Sequence, residues 1–168
     1  RHREAIAALA KARADLNAKE RDRYDAVTIA AVADDVATLK LLLQLGASAK
    51  QVTSRYDGTA LIAAAHLGHD EVVKLLIDAG APLDHVNNLG WTALIESIVL
   101  GQGGPRHVAT LKALVDSVRS LRSEMGLAPG QKVDAFIATE GEAGGGVGVS
   151  ALVDYLKALA RLSDVRVV

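Results

Sequence analysis

The stretch Thr59-Ala60-Leu61-Ile62-Ala63-Ala64-Ala65 returns further along the chain as Thr92-Ala93-Leu94-Ile95. Thr59 and Thr92 are 33 positions apart, and so are Gly68 and Gly101. A period of that length accommodates one supersecondary unit made of two short helices and their connections. A single unit of this kind cannot bury its own apolar face. It has to stack on neighbours, and the stack leaves a long concave wall on which another protein can dock.

Working outward from Thr59, each segment of the unit has a physical role. The Thr59 hydroxyl can cap the helix that follows it. Gly68 and Gly80 stand where a helix stops and a positive φ costs little. Val72, Val73, Leu75 and Leu76 recur at helical spacing and face the stack. Asp57-Gly58-Thr59-Ala60-Leu61 resembles the hairpin and T-P-L helix start of the ankyrin repeat family. Ala64-Ala65-His66-Leu67-Gly68-His69 resembles its A-A-x-x-G-H turn, and Glu71 to Ile77 its outer helix. Asp78-Ala79-Gly80-Ala81-Pro82-Leu83-Asp84 is similar to its x-x-G-A-x-V-N exit loop. The resemblance implies a mainly α fold, an ankyrin-repeat solenoid.

The neighbouring units are less regular. The next one begins at Asn87-Asn88-Leu89-Gly90-Trp91-Thr92, and an insertion around Gly101-Gln102-Gly103-Gly104-Pro105 displaces its outer helix by 38 positions instead of 33. An upstream unit runs through Tyr24-Asp25-Ala26-Val27 and Leu39-Lys40-Leu41-Leu42-Leu43 to Gly46-Ala47. Asp25 replaces its capping threonine, and Asp34 replaces its turn glycine. Before it, Ile6-Ala7-Ala8-Leu9 to Ala14-Asp15-Leu16-Asn17 fits an outer helix and exit loop without an inner helix. Residues 1–117 therefore read as a half unit and three units, in an array that once began further upstream.

After Leu114-Val115-Asp116 the repeat pattern expects Gly-Ala, and the chain reads Ser117-Val118. Leu111, Leu114, Val115, Val118, Leu121 and Met125 continue one apolar stripe at helical spacing. One unbroken helix is expected to about residues 124–126, with Leu121 buried and Pro129-Gly130 as the stop. Arg119-Ser120-Leu121-Arg122-Ser123-Glu124-Met125 with Pro129 resembles a run near the end of the anticodon-binding region of valyl-tRNA synthetases. Lys132 to Ala138 is similar to the strand after that run. Tyr155 to Leu162 and Val165 to Val168 are similar to a later helix and strand. Residues 118–168 thus read as a helix extension and a small C-terminal β-α-β appendage. Ser150 is expected to cap its helix, and a right-handed crossover is expected to join its parallel strands. Phe136, Ile137, Leu156 and Leu159 are expected to close over the long helix. Two unrelated resemblances meeting inside one helix imply a recombined or engineered chain, with a natural fusion as the alternative.

Composition narrows the chemistry. Hydrophobic residues make up 50% of the chain and aromatics 3%, so the core is built from Ala, Leu and Val. The 19 basic and 20 acidic residues give no overall field for nucleic acid or an anionic membrane. There is no Cys for disulfide or thiolate chemistry. No apolar run reaches the ~18–20 residues that span a bilayer.

His66-Leu67-Gly68-His69 matches the H-[IL]-G-H signature of class I tRNA synthetases, but an Ala-rich helix ends there, and the partner K-M-S-K-S motif is absent. The repeat period already explains the glycine. His69 reads as a loop anchor bonded to backbone. His66 and His69 have no nearby Cys to complete a zinc site. Asp34-Asp35 reads as a solvated helix terminus, and Gly144-Gly145-Gly146-Val147-Gly148 as a flexible linker. No catalytic group, metal or cofactor is expected.

The resemblance to ankyrin repeats implies protein–protein binding through hairpin tips and the exposed ends of inner helices. Those positions are Arg21, Asp22, Tyr24, Val32 and Ala33, then Arg55, Tyr56, His66 and Leu67, then Asn88, Leu89, Trp91, Val99 and Leu100. Tyr24, Tyr56 and Trp91 supply aromatic anchors. The expected partner is another protein, with nucleic acid disfavoured and no membrane. RNA binding through residues 118–168 is the alternative. It rests on Arg119 and Arg122, although Asp116 is within pairing reach of Arg119.

Overall fold

The computed structural model describes residues 2–126, 133–137 and 162–167. Its helices are α1 (Arg3–Lys11), α2 (Ala26–Val32), α3 (Val36–Gln44), α4 (Ala60–Leu67), α5 (Asp70–Asp78), α6 (Ala93–Val99) and α7 (Pro105–Glu124). Strands β1 (Val52–Thr53) and β2 (Gly58–Thr59) form an antiparallel finger, with Val52 opposite Thr59 and Thr53 opposite Gly58. Strands β3 (Val133–Ile137) and β4 (Leu162–Val167) pair in parallel.

The inner helices form one row, α2 on α4 on α6. The outer helices form a second, α1 against α3, α3 against α5 and α5 against α7. Alanine lets the inner row pack closely. Ala30, Ala31, Ala60, Ala64, Ala65 and Ala93 are all buried, together with Leu39, Leu42, Leu61, Val72, Val73, Leu76 and Leu114.

The irregular units keep the geometry of the regular one. Thr59 and Thr92 cap α4 and α6, their hydroxyls accepting from the Ile62 and Ile95 amides at 3.3 Å. Asp25 caps α2 in the same way, its Oδ1 accepting from the Thr28 amide at 2.7 Å. Gly68 ends α4 at φ 70°, and Asp34 takes the same left-handed conformation at φ 53°. A short polar side chain tolerates that region better than most residues, which is how the turn survives without its glycine.

The inserted segment ends at Pro105, which opens α7 as its first residue. A proline is accommodated there because that amide has no intrahelical acceptor. The helix then runs 20 residues without a break to Glu124, as the apolar stripe predicts. The expected burial of the stripe does not hold throughout. Leu114 and Val115 are buried, but Leu121 is 41% exposed and Met125 68% exposed. The cause is length: α5, on which α7 lies, has only 9 residues. The second half of α7 runs past it.

The parallel pairing of β3 and β4 agrees with the expected β-α-β pattern. Its intervening helix, its handedness, the Ser150 cap, the glycine-rich linker and the packing of Leu156 and Leu159 lie outside the described residues. So do the side-chain contacts of Phe136 and Ile137.

Candidate protein-binding groove

Each repeat presents a loop or finger, and hydrogen bonds tie each finger to the next. The Ser54 amide donates to the Arg23 carbonyl at 3.2 Å, and Arg23 Nη2 meets Asp57 Oδ1 at 2.7 Å. The Asn88 amide donates to the Tyr56 carbonyl at 2.9 Å, and its Nδ2 to the Arg55 carbonyl at 3.2 Å. His85 Nε2–H donates to the Asp57 carbonyl at 2.6 Å. The third loop is closed by Asn87, whose Oδ1 accepts from the amides of Leu89 and Trp91, both at 3.0 Å.

Between the first two fingers and the inner helices lies a groove of about 250 Å³. Five of the residues expected to touch a partner line it: Tyr24, Val32, Tyr56, His66 and Leu67. Three of these are apolar or aromatic groups left nearly half in water, with Val32 44%, Tyr56 48% and Leu67 41% exposed. The floor is supplied by Thr28, Ile62 and Ala63 on the inner helices and by Thr53 on the finger. Thr28 and Thr53 share a hydroxyl–hydroxyl hydrogen bond of 3.0 Å.

The remaining expected contacts lie elsewhere. Arg21, Asp22, Ala33, Arg55, Asn88, Leu89 and Leu100 are exposed beyond the groove, and Trp91 and Val99 are half-buried outside it. The main chain and amide of Asn88 are already engaged by the preceding finger.

Sequence reasoning missed Glu96, which lines the groove and is only 6% exposed. Its Oε2 lies 2.8 Å from His66 Nδ1, and its Oε1 accepts from Asn87 Nδ2 at 3.0 Å. The signal was available. Counting from the caps, Glu96 occupies the inner-helix position held by Ala63 in the preceding unit and by Ile29 before that.

The histidines of the H-L-G-H stretch hold repeats together. His69 Nδ1–H donates to the Ala31 carbonyl at 2.9 Å, the backbone anchor that its position predicts. His107 Nε2–H donates to the His66 carbonyl at 3.0 Å.

Charge concentrates at the turns between inner and outer helices. Arg106 clamps Asp34 with two bonds, Nη1 to Oδ2 at 2.7 Å and Nη2 to Oδ1 at 3.0 Å, and its Nε reaches Asp70 Oδ1 at 3.0 Å. One guanidinium therefore joins three successive units. Its hydrogen bonds hold the Asp34 carboxyl below the usual carboxylate range. At Asp70 burial acts in the opposite direction, but bonds from Arg106 and Lys74 outweigh it and the carboxyl is again lowered. Arg106 is in turn held more firmly protonated. Asp35 caps α3 through the Thr38 amide and hydroxyl, which lowers its carboxyl too. The expectation of a solvated Asp34-Asp35 pair is thus corrected. Both lie at helix ends, but each is only partly exposed and engaged in charge-assisted bonds.

Among the described residues no group of three or more His, Cys, Asp or Glu is placed to hold a metal ion. No described helix is long and apolar enough to cross a membrane.

Comparison with known proteins agrees with this architecture. A family model for ankyrin repeats in three copies matches residues 27–123. The chain is 32% identical over 112 residues to the ankyrin repeat protein YahD of Escherichia coli strain K12, covering 66% of this chain and 55% of that protein. A 63-residue stretch is 36% identical to the glycerophosphocholine phosphodiesterase gde1 of Schizosaccharomyces pombe, covering 38% of this chain but 6% of that enzyme. Among solved structures, an ankyrin repeat domain from Acinetobacter baumannii AYE superposes with a TM-score of 0.64 at 42% identity, over 68% of this chain and 58% of that one. The chain thus spans little more than half the length of YahD and of the Acinetobacter chain. With its period, its capped inner helices and a family match over more than half its length, the chain belongs to the ankyrin repeat family.

Proposed function

We propose that the chain is a non-catalytic protein-binding module that grips its partner in the groove between the first two fingers. The observation that carries this reading is the convergence of exposed Val32, Tyr56 and Leu67 on one groove, with fingers that inter-repeat hydrogen bonds hold in place. Exposed apolar side chains gathered on a preorganised concave surface favour association, because little ordering entropy remains to be lost on binding. Ankyrin repeats in general bind other proteins, and this groove combines shape with exposed apolar surface.

The test is affinity for a partner recovered by cross-linking. Tyr56→Ala and Leu67→Ala should each weaken binding by about 1–3 kcal/mol, as for truncated anchors, with unchanged helical circular dichroism. Trp91→Ala, outside the groove, should have less effect. Unchanged affinity in both groove variants defeats the assignment.

RNA binding through residues 118–168, and a recombined origin for that segment, is the second reading. Arg119 Nη1 lies 3.6 Å from Asp116 Oδ1, so part of its charge is already answered. Arg119→Glu with Arg122→Glu should abolish RNA retention if that reading holds and leave partner affinity untouched if the groove is the site.

A further inference from the structure

Glu96 is expensive where it stands. A buried carboxylate must recover the hydration it gives up, and it does so through charge partners and hydrogen bonds. The one basic side chain within ion-pairing distance among the described residues is His66, itself 46% exposed. Among the described residues, no Lys or Arg lines the groove. The preceding units do without a charge at this position. Ala63 fills the equivalent place in the preceding unit, and Asn87 already closes its own loop through its backbone amide to the Trp91 carbonyl and through its Oδ1.

The carboxylate also has unused capacity. An ionised carboxylate offers about four lone-pair sites, and the two hydrogen bonds to Glu96 occupy two of them. Around it the groove supplies two tyrosines, Tyr24 and Tyr56, and the apolar surfaces of Val32 and Leu67. Aromatic faces attract a cation, and apolar walls cover the methylene stem that carries it. A volume of about 250 Å³ falls below the ~300–1,000 Å³ of small-molecule pockets and suits one or two side chains. A bare metal ion is a poor match, since a single carboxylate is too few oxygens for a hard cation.

Building on the protein-binding reading of this groove, we infer that it takes a Lys or Arg side chain from an extended partner segment, with Glu96 as the counter-charge. The partner's cation occupies the free lone pairs of Glu96. Its stem lies along Val32 and Leu67, beside the rings of Tyr24 and Tyr56. His66 and Asn87 hold the carboxylate in position.

The test uses a random 12-residue peptide display library panned against the full chain, followed by fluorescence anisotropy on the recovered consensus peptide. One basic position should be enriched. Replacing that residue with norleucine should lower affinity for the unaltered protein by at least about tenfold. Glu96→Gln should lower affinity for the basic peptide by a similar factor, and it should bind the basic and norleucine peptides equally. The norleucine comparison stands by itself if Glu96→Gln unfolds.

Peptides that compete for the groove and lose affinity on Tyr56→Ala, yet show no basic preference, overturn the inference and leave the protein-binding reading intact. Equal binding of basic and norleucine peptides does the same. A library that yields no groove-dependent peptide overturns both.

Discussion

Removing the Arg106 guanidinium should loosen the stack as a whole. Arg106→Ala deletes two hydrogen bonds to Asp34 and one to Asp70, and with them a link that spans three repeats. The Arg106 side chain is 52% exposed, against 31% for Asp34 and 18% for Asp70. An exposed ion pair contributes about 0.2–1 kcal/mol after solvent screening. Two carboxylates, one of them gripped bidentately, bring the expected loss to about 1–2 kcal/mol. For a chain of this size that corresponds to roughly 2–8 °C in melting temperature.

The loss should shrink at ~1 M salt, where the screening length falls to a few ångströms. Arg106→Lys should recover only part of it, because an ammonium cannot reproduce the fork. Acid supplies an independent signature. Asp34 and Asp70 are both held below their ordinary 3.8 in the folded protein. Their stabilising contribution is complete above about pH 3.8 and disappears as pH falls through the depressed folded values. Urea melts of the unaltered protein should therefore lose stability faster than Arg106→Ala below pH 3.8, and the two curves should converge. Equal stabilities at neutral pH and low salt, with parallel acid profiles, would refute this account of the clamp.

Other substitutions test the packing and the groove. Leu114→Ala, at a site 1% exposed, should cost about 2–5 kcal/mol in urea melts. Leu121→Ala, at a site 41% exposed, should cost less than about 1 kcal/mol. Asp25 leaves a buried Oδ2 without a partner among the described atoms. Asp25→Thr keeps the cap as Thr59 and Thr92 make it, and should raise stability by about 1 kcal/mol in thermal melts. Gly58→Phe should fill the groove and lower partner affinity by about tenfold, with the melting temperature nearly unchanged.

What the sequence made legible was everything carried by local chemistry at a repeating position. The period located Thr59 as a cap and Thr92 as its repeat, and it marked Asp25 and Asp34 as departures; the structure shows Asp25 capping its helix and Asp34 taking the left-handed turn conformation. It also carried α7 through Val118, because apolar spacing specifies a helical face. That spacing does not specify what lies on the face, which is why Leu121 and Met125 were expected to be covered and are not. Contacts between units were less legible. Arg106 and Asp34 are 72 residues apart, and Arg106 lies just after the inserted glycines and Pro105, where the repeat spacing gives no guide. Glu96 is not legible from the exposed ends of the inner helices, because the departure that matters is a charge in the middle of one.

The groove coincides with one missing side chain. Tyr24 and Trp91 each stand immediately before a helix cap, Asp25 and Thr92 respectively. The residue at that position in the middle unit is Gly58, which lines the groove. Its φ is not in the left-handed region that favours glycine. A Cβ built on it would meet Ser54 Oγ at 3.6 Å and Ile62 Cγ2 at 3.8 Å, ordinary contact distances. Neither backbone conformation nor close packing therefore requires glycine at this site. The unit thus lacks a side chain at a residue that lines the groove, where Tyr24, Tyr56 and Glu96 are also part of the lining. Regular repetition builds the wall, and two departures from it, a glycine in place of a ring and a glutamate in place of an alanine, give one stretch of that wall a shape and a charge of its own.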